Sequence, residues 1–443
     1  MHLQGTLTAA DSHHYIAHKF EVPPGATRLD IDYQYQPKRI GSYGNLLTLS
    51  LFDPYSERGT GHRGQPTQHI TLSASEATPG YVAGALPPGT WNVLINCNLI
   101  NPGAAVDYTF DIEISSEPQP AAPPPFTRGT TAPRGAGWYR GDLHGHTVHS
   151  DGNWDVEGLL GFARQNKLDF VTLTDHNTLS ALPKMDSLSS DDLLTMGGFE
   201  LTTFYGHALA LGIRQIIDWR VRNGRTITDM RAEVEALGGL FIIAHPGCPG
   251  DPGCTGCHWE YQDMMPGSAQ MVEIWNEYYT SGSNNEGAVE IWYQWLNAGH
   301  HLYATVGSDI HGTPDPAHEF GFNVVYAQEL SEQAILDGVR HGHSYLSSGP
   351  TLALSGKAAS GATAMLGDAL PNERCEFSAQ WSNLRAGDRL RWMVDGQVIE
   401  EITPDVAGKR TWTVDGGAHW CVIEVRAATG DLRAVTNPIF IGR

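Results

Sequence analysis

Two histidines separated by one residue carry the most evident chemistry in this chain. His144 and His146 stand in the segment DLHGHT. On a strand, residues two apart point to the same face, so both imidazoles can bind one cation. Asp151 follows in a Ser-Asp-Gly turn that can fold a carboxylate back over the strand end. Taken alone, the segment could equally be a histidine-rich turn, because the chain has 20 histidines.

Four further apolar runs also end on residues that bind metals: FVTLTDH, MGGFELTT, FIIAHP and YATVGSDIH. A lone buried histidine is more often a core residue than a ligand. Five such runs in order, within about 170 residues, instead predict strand ends that converge on one polynuclear metal site. The predicted metal ligands are His144, His146, Asp151, His176, Glu200, His207, His245, Asp309 and His311.

The elements that must position these ligands are short buried strands. Residues 170–173 are near-continuous in apolar and β-branched side chains, which is typical of a buried parallel strand. Pro246 cannot donate a ladder hydrogen bond, so the strand before it must end at His245.

The HxH strand with its Ser-Asp-Gly, the Thr-Asp-His, the Ala-His-Pro and the final Ser-Asp-x-His together resemble the polymerase and histidinol phosphatase (PHP) family over about residues 137 to 350. The resemblance implies a distorted (β/α)7 barrel that binds two to three divalent metals, usually manganese, iron or zinc, and hydrolyses phosphate esters. The segments GCTGCHW and SSGP look like the branch that includes carbaryl hydrolase, which leaves the type of ester open.

The resemblance also implies a ligand set for each metal. The first takes His144, His146, Glu200 and Asp309, which are the expected catalytic centre; the second takes Glu200, His207 and His245; the third takes Asp151, His176 and His311. Mixed nitrogen and oxygen ligands suit first-row transition metals better than calcium or magnesium. Asp142 and Asp175 either orient ligand imidazoles or are structural carboxylates.

Several residues near the ligands are candidates for binding substrate. Asn276 or Glu273, on the run VEIWNE, is expected to face the site, unless this is an ordinary barrel strand. Tyr278 and Tyr279 follow where a substrate loop would begin. Arg140 can pair either with a phosphate or with a carboxylate of the barrel.

The loop after His245 concentrates the cysteines. Cys248, Cys254, Cys257 and His258 fall within a Pro/Gly-rich stretch. They can form a second, structural zinc site, a disulfide, or simply free thiols.

The sequence on either side of the barrel alternates in the period of strands and predicts two β-sandwich domains. The predicted architecture is an N-terminal sandwich (1–115), a proline-rich linker (116–136), the metal-binding barrel (137–350) and an immunoglobulin-like C-terminal sandwich (351–443). The sandwiches are expected to cover the barrel and build a homo-oligomer; the alternative is that they bind a polymer.

Composition limits the partners. The formal charge is −21, from 28 basic and 49 acidic residues, and the chain has no basic tract, so long nucleic acid is not an expected partner. No 18-residue apolar stretch and no signal peptide is visible, which predicts a cytoplasmic protein without a membrane partner.

The sequence therefore predicts a metal-dependent phosphoesterase acting on a small-molecule ester. A metal-bridging hydroxide would attack a phosphodiester or phosphonate ester. A carbamate or carboxyl ester, as for carbaryl hydrolase, and a phosphomonoester are the alternative substrates. The alternative of another class is a non-catalytic carbohydrate-binding protein.

Overall fold

The structure, a computed structural model, describes residues 1–442. The N-terminal domain contains β1 (His2–Thr8), β2 (His14–Val22), β3 (Arg28–Gln36), β4 (Arg39–Ile40), β5 (Tyr43–Gly44), β6 (Leu46–Phe52), β7 (Glu57–Gly61), β8 (Thr67–Ser73), β9 (Gly89–Leu99) and β10 (Ala105–Ser115), with a 3-10 turn at Ala9–Asp11. Two antiparallel four-stranded sheets, β1-β10-β3-β8 and β2-β9-β6-β7, share one core. Trp91, Tyr33 and Phe110 are fully buried in it. The hairpin β4-β5 projects beside them.

The linker from 116 to 136 contains no helix or strand. It is nevertheless attached to the next domain, since Gly129 N–H donates to Asp186 O at 2.9 Å and Arg128 pairs with Glu332 at 2.6 Å.

The central region holds nine strands and five helices. The strands are β11 (Gly137–Asp142), β12 (Phe170–Leu173), β13 (Leu194–Thr202), β14 (His207–Leu211), β15 (Leu240–Ile243), β16 (Met271–Asn276), β17 (Tyr303–Gly307), β18 (Phe322–Ala327) and β19 (Ser344–Ser347). The helices are α1 (Val156–Gln165), α2 (Leu182–Ser187), α3 (Ile227–Ala236), α4 (Asn285–Asn297) and α5 (Glu332–Arg340), and a 3-10 turn spans Gln262–Met264. Side-chain caps begin α1, α3 and α5: the side chains of Asp155, Thr226 and Ser331 accept backbone N–H groups of the first turn.

Strand direction brings the ligand-bearing ends to one edge. The order is β17-β16-β15-β14-β13-β12-β11, and every strand except β14 runs in the same direction. The carboxyl ends of parallel strands lie at one edge of a sheet. Because β14 runs in the opposite direction, its first residue, His207, lies at that same edge, opposite Thr202 of β13.

The first and last strands of this seven-stranded series, β11 and β17, are connected to each other by hydrogen bonds near their carboxyl ends. Asp309 N–H donates to His144 O at 3.0 Å, and His146 N–H donates to Ile310 O at 2.9 Å, so the end of β17 is joined to the end of β11. At the other end β18 lies antiparallel to β11, and the side chain of Asn323 hydrogen-bonds both backbone groups of Val306 in β17.

The C-terminal strands are β20 (Thr351–Ala358), β21 (Thr363–Ala364), β22 (Ala369–Leu370), β23 (Cys375–Ser382), β24 (Arg389–Val394), β25 (Gln397–Ile402), β26 (Gly408–Val414), β27 (Trp420–Arg426), β28 (Leu432–Thr436) and β29 (Ile439–Ile441). β21-β20-β23-β26 form a separate sheet, but β28 pairs with β19 and thereby extends the central sheet through β27, β24 and β25. The predicted boundary at 350 therefore does not separate two sheets. The alternation of apolar and polar residues in these segments predicts strands, but it does not indicate which neighbouring strand each one pairs with.

None of the five helices in residues 1–442 is long and apolar enough to cross a bilayer.

Candidate metal centre

Nine side chains with metal-binding atoms meet at the ligand edge of the central sheet. They are the ones predicted from the strand ends: His144, His146, Asp151, His176, Glu200, His207, His245, Asp309 and His311. Six of the nine expose at most 6% of their surface, whereas the side chains of His311 and Asp151 are 35% and 31% exposed. The cluster is thus buried around Glu200 and open to solvent near Asp151.

Glu200 lies at the centre of the cluster. Its Oε1 is 2.9 Å from His207 Nδ1 and 3.1 Å from His245 Nε2. Its Oε2 is 3.2 Å from His144 Nε2 and 3.1 Å from His176 Nδ1. Its Oε2 is also 3.4 Å from His146 Nε2. One carboxylate that contacts five imidazoles has the geometry of a bridge between cations.

Three groups of residues each bring one ligand atom per residue within 4.8 Å of one another. The groups are His144, His146, Glu200 and Asp309; His146, Asp151, His176 and His311; and His176, Glu200 and His207. The first is the set predicted for the first metal. The other two differ from the predicted sets, since His146 joins the third set and His176 takes the place of His245 in the second.

Buried polar atoms without a hydrogen-bond partner test whether cations fit here. Among residues 1–442 such atoms include His144 Nε2, His146 Nδ1 and Nε2, Glu200 Oε2, His207 Nε2 and Asp309 Oδ1. A buried polar atom without a partner costs about 1–3 kcal/mol, and here the orphaned atoms all belong to residues of the three groups. Imidazole nitrogen and carboxylate oxygen are the donors that first-row divalent cations accept, so the residues present fit such cations.

The carboxylates of the cluster carry negative charge. Burial opposes ionisation of Glu200, but the surrounding imidazoles, His176 and His144 first among them, hold its pKa well below the usual value. The pKa of Asp309 is likewise held well below the usual value, against burial, by His144 and other imidazoles. The same balance, set mainly by His176, lowers the pKa of Asp151. Three ionised carboxylates in a buried cluster provide the charge that several divalent cations require.

Two ligands occupy backbone conformations that side chains other than glycine rarely adopt. His245 has φ 29° and Asp309 has φ 46°, both in the left-handed region. Such conformations cost on the order of 1–3 kcal/mol each and persist where the surrounding structure fixes them. Each residue lies two positions beyond the end of its strand, where the left-handed conformation turns the side chain into the cluster instead of along the sheet.

A second set of contacts orients the ligands. Glu273 Oε2 lies 3.1 Å from His144 Nδ1, and both side chains are fully buried. The Asn276 amide donates to Glu273 Oε1 at 2.8 Å and to Asp309 Oδ2 at 3.2 Å. Thr202 Oγ1 lies 2.5 Å from His176 Nδ1. β16 therefore faces the site, and Glu273 and Asn276 position ligands.

Asp142 and Asp175 do not orient imidazoles. Asp142 accepts hydrogen bonds from the hydroxyl and, at 3.0 Å, the N–H of Ser308, and so joins β11 to β17. Asp175 accepts from the N–H of Thr147 at 2.8 Å and from the hydroxyl of Ser150 at 2.7 Å. Both carboxylates hold the backbone that carries the ligands.

A cavity of about 380 Å³ opens above the cluster, and part of its wall belongs to the N-terminal domain. Lys38, Leu46, His62 and Leu99 line it together with seven of the nine clustered side chains. The His62 ring lies 4.3 Å from the His176 ring, centroid to centroid. Burial and the neighbouring His176 lower the pKa of His62 to about 3, so its imidazole is neutral. No local pattern in the sequence marks these residues, because domain docking brings them here.

Three predicted substrate residues lie outside this cavity. Arg140 donates to Asn166 O at 2.6 Å and its guanidinium packs over Phe322. The Tyr278 ring stacks on His318 with centroids 3.7 Å apart. The Tyr279 hydroxyl donates to the Glu286 carboxylate.

The cysteine loop packs directly against two ligands. Cys254 and Cys257 form a disulfide, and Cys248 is a free thiol. Cys257 O lies 3.1 Å from His245 Nδ1, and the backbone of Gly256 approaches the His207 ring. The metal-type clusters found in residues 1–442 include no cysteine and not His258.

We expect the purified protein to hold two to three divalent metals per chain. The orphaned atoms and ionised carboxylates favour occupancy over the empty cluster, and bound metal stabilises the folded state by mass action. Elemental analysis gives the stoichiometry, and the Tm should fall when a chelator removes the metal. A protein purified from a manganese- or zinc-supplied source with less than one equivalent, and with a Tm unaffected by chelator, would contradict the assignment.

No family model and no curated protein matches the chain. Among solved structures, it is similar to a two-domain protein containing a predicted PHP-like metal-dependent phosphoesterase from Bacteroides vulgatus, at 16% identity over 72% of this chain and 99% of that one, with a TM-score of 0.39. It is also similar to an amidohydrolase from Chromobacterium violaceum with bound sulfate and no metal, at 16% identity over 39% of this chain and 87% of that one, with a TM-score of 0.28.

Proposed function

We propose that this chain is a metal-dependent phosphoesterase. The observation that carries the proposal is the meeting of nine side chains with metal-binding atoms, several of them without a hydrogen-bond partner, beneath one cavity that seven of the nine line. Divalent cations bound there would supply an activated water and neutralise the oxygens of an ester. A non-catalytic carbohydrate-binding protein does not require a buried cluster of histidines and carboxylates.

The charge of the site supports an anionic substrate. Three divalent cations against the carboxylates of Asp151, Glu200 and Asp309 would leave roughly +3, which favours a phosphoryl group over a neutral ester. The volume of about 380 Å³ fits a small molecule.

The lining also supports a diester over a monoester. No arginine lines the cavity, and Lys38 is its one lysine among the described residues. Lys184, the one lysine or arginine in the loops 177–190 and 247–267, is engaged by Asp155 at 2.8 Å and Glu157 at 2.7 Å outside the cavity. A dianionic monoester needs more cationic donors than one ammonium provides.

The chain's own residues have defined tasks in this proposal. Glu273 and Asn276 fix His144 and Asp309, so the ligands keep one geometry during turnover. Leu46, Leu99 and the neutral ring of His62 line the wall above the cluster and exclude water from part of it.

We expect 4-nitrophenyl phosphodiesters or phosphonate monoesters to give kcat/KM about tenfold or more above the 4-nitrophenyl phosphomonoester and acetate. A panel of the four esters with metal-loaded protein measures this directly. A tenfold advantage for the acetate, or for a carbamate, would instead assign carboxyl- or carbamate-ester chemistry, and an advantage for the monoester would make the protein a phosphatase.

A further inference from the structure

The N-terminal domain forms part of the cavity and is held there by several direct contacts. Thr178 Oγ1 donates to Gly80 O at 2.8 Å, and Arg63 donates to Val148 O at 2.8 Å. Thr255 Oγ1, in the loop after His245, donates to Asn98 O at 3.3 Å. These hydrogen bonds join the N-terminal domain to segments that follow His146, His176 and His245, so the wall that this domain supplies is fixed relative to the clustered side chains.

Lys38 is a cation in this wall without an anionic partner. Its Nζ donates to Asn45 O at 2.9 Å and to Tyr35 Oη at 3.1 Å. No carboxylate oxygen of residues 1–442 lies within 4.0 Å of it. An ammonium has three donors, so one remains for a ligand.

The surroundings of Lys38 make this unpaired charge significant. The side chain is partly buried, and desolvation lowers the pKa of the ammonium. A charge withdrawn from water without a counter-ion is unfavourable, and an arriving anion relieves that cost. Two neutral carbonyl and hydroxyl oxygens hold the group in place without neutralising it.

Resting on the proposed phosphoesterase function, we propose that Lys38 is a specificity residue that binds a second anionic group of the substrate, away from the phosphoryl group at the metal cluster. The metal ligands already serve the scissile group from the floor of the cavity. Lys38 lies on the wall contributed by the other domain, with the apolar side chains of Leu46 and Leu99 lining the same cavity. The substrate class is therefore a small phosphoester or phosphonate that also carries a carboxylate or a second phosphate.

Two phosphonates test this without turnover. Methylphosphonate carries one anionic group, and phosphonoacetate adds a carboxylate on the same carbon. Binding of both to the metal-loaded full-length protein is measured by calorimetry for the wild type, Lys38→Met and Lys38→Arg. Lys184→Met is the matched control, because it removes a lysine whose ammonium is paired outside the cavity.

We expect Lys38→Met to weaken phosphonoacetate binding by about tenfold while leaving methylphosphonate within about twofold, since one charge-assisted hydrogen bond is lost. Lys38→Arg should keep most of the preference, and Lys184→Met all of it. Equal metal content in all variants excludes an effect through the ligands.

Two other outcomes separate this proposal from the proposed function. If the wild type hydrolyses phosphoesters but Lys38→Met keeps the full preference for phosphonoacetate, or loses both probes equally, the role of Lys38 is overturned and the phosphoesterase stands. If the metal-loaded wild type neither binds a phosphonate nor hydrolyses any phosphoester, both proposals are overturned.

Discussion

Replacing Asp309 or His146, as Asp309→Asn or His146→Asn, is expected to lower kcat/KM by on the order of 10³-fold, because a bound metal supplies several kcal/mol of stabilisation in the transition state. The two side chains face each other, with His146 Nε2 2.8 Å from Asp309 Oδ1, and both belong to the same ligand group. Asp309→Asn keeps the size of the side chain and removes its negative charge, and His146→Asn replaces the imidazole by a smaller amide. The fold should remain, since the core clusters of the central region are apolar and do not include the ligands.

Steady-state kinetics on the best ester of the panel, together with metal analysis and circular dichroism, measures the effect. Asp315→Asn is the matched control: it neutralises an exposed loop carboxylate that only caps the N–H of Ala317. A ligand variant that keeps more than about a tenth of the wild-type kcat/KM has lost under ~1.4 kcal/mol, and the assignment of that residue would then be wrong.

Glu273→Gln is expected to reduce metal affinity and activity by about 10–100-fold, the range found when the partner of a ligand histidine is changed. Glu273 does not belong to any of the three ligand groups, but its carboxylate faces His144 Nδ1 at full burial. The amide keeps the size of the side chain but replaces one of the two carboxylate oxygens, which face His144 Nδ1 and the Asn276 amide, with a donor.

Excess metal in the assay distinguishes this positioning role from a loss of structure. The ligands of Glu273→Gln are intact, so a higher metal concentration should restore most of its activity, whereas it should not restore Asp309→Asn. Glu290→Gln, on α4 away from the cluster, serves as control. Metal binding by Glu273→Gln equal to that of the wild type would contradict the role given to Glu273.

The meeting of the nine side chains could be predicted because local spacing decides where they point. Most of them lie at or just beyond one end of a short apolar strand, and strand direction is the one global feature needed to bring such ends together. His207 shows that the prediction also holds for β14, which runs opposite to its neighbours. Because β14 is the antiparallel partner of β13, which carries Glu200, β14 begins at the edge where β13 ends.

Two residues predicted to bind substrate are close in sequence to the clustered residues but do not reach the cavity, because the backbone places their side chains elsewhere. Arg140 lies four residues before His144 on one strand, roughly 13 Å away at the usual rise, so its guanidinium reaches Asn166 at a different level of the sheet. After Asn276 the chain turns through Glu277 at φ 58°, which takes Tyr278 out of the cavity.

The cavity residues that the sequence analysis did not predict are those contributed by the N-terminal domain. Lys38 and His62 lie more than 80 positions before His144 and stand among ordinary turn and strand residues. Their role depends on how two domains dock, which follows from shape and from scattered contacts such as Tyr15 against Phe204, with ring centroids 4.8 Å apart. Such information is not periodic, so sequence periodicity cannot reveal it.

The pairing of β19 with β28 determines where the chain can be cut without exposing the edge of a sheet. A gene fragment ending at residue 350 would leave β19 as the open edge of the central sheet, with the backbone of Tyr345 and Ser347 unpaired on that side. Open edges of this kind recruit strands from other molecules and lead to aggregation. We therefore expect that the central region can be exchanged by recombination only together with the strands after it, unless another strand pairs with the same edge.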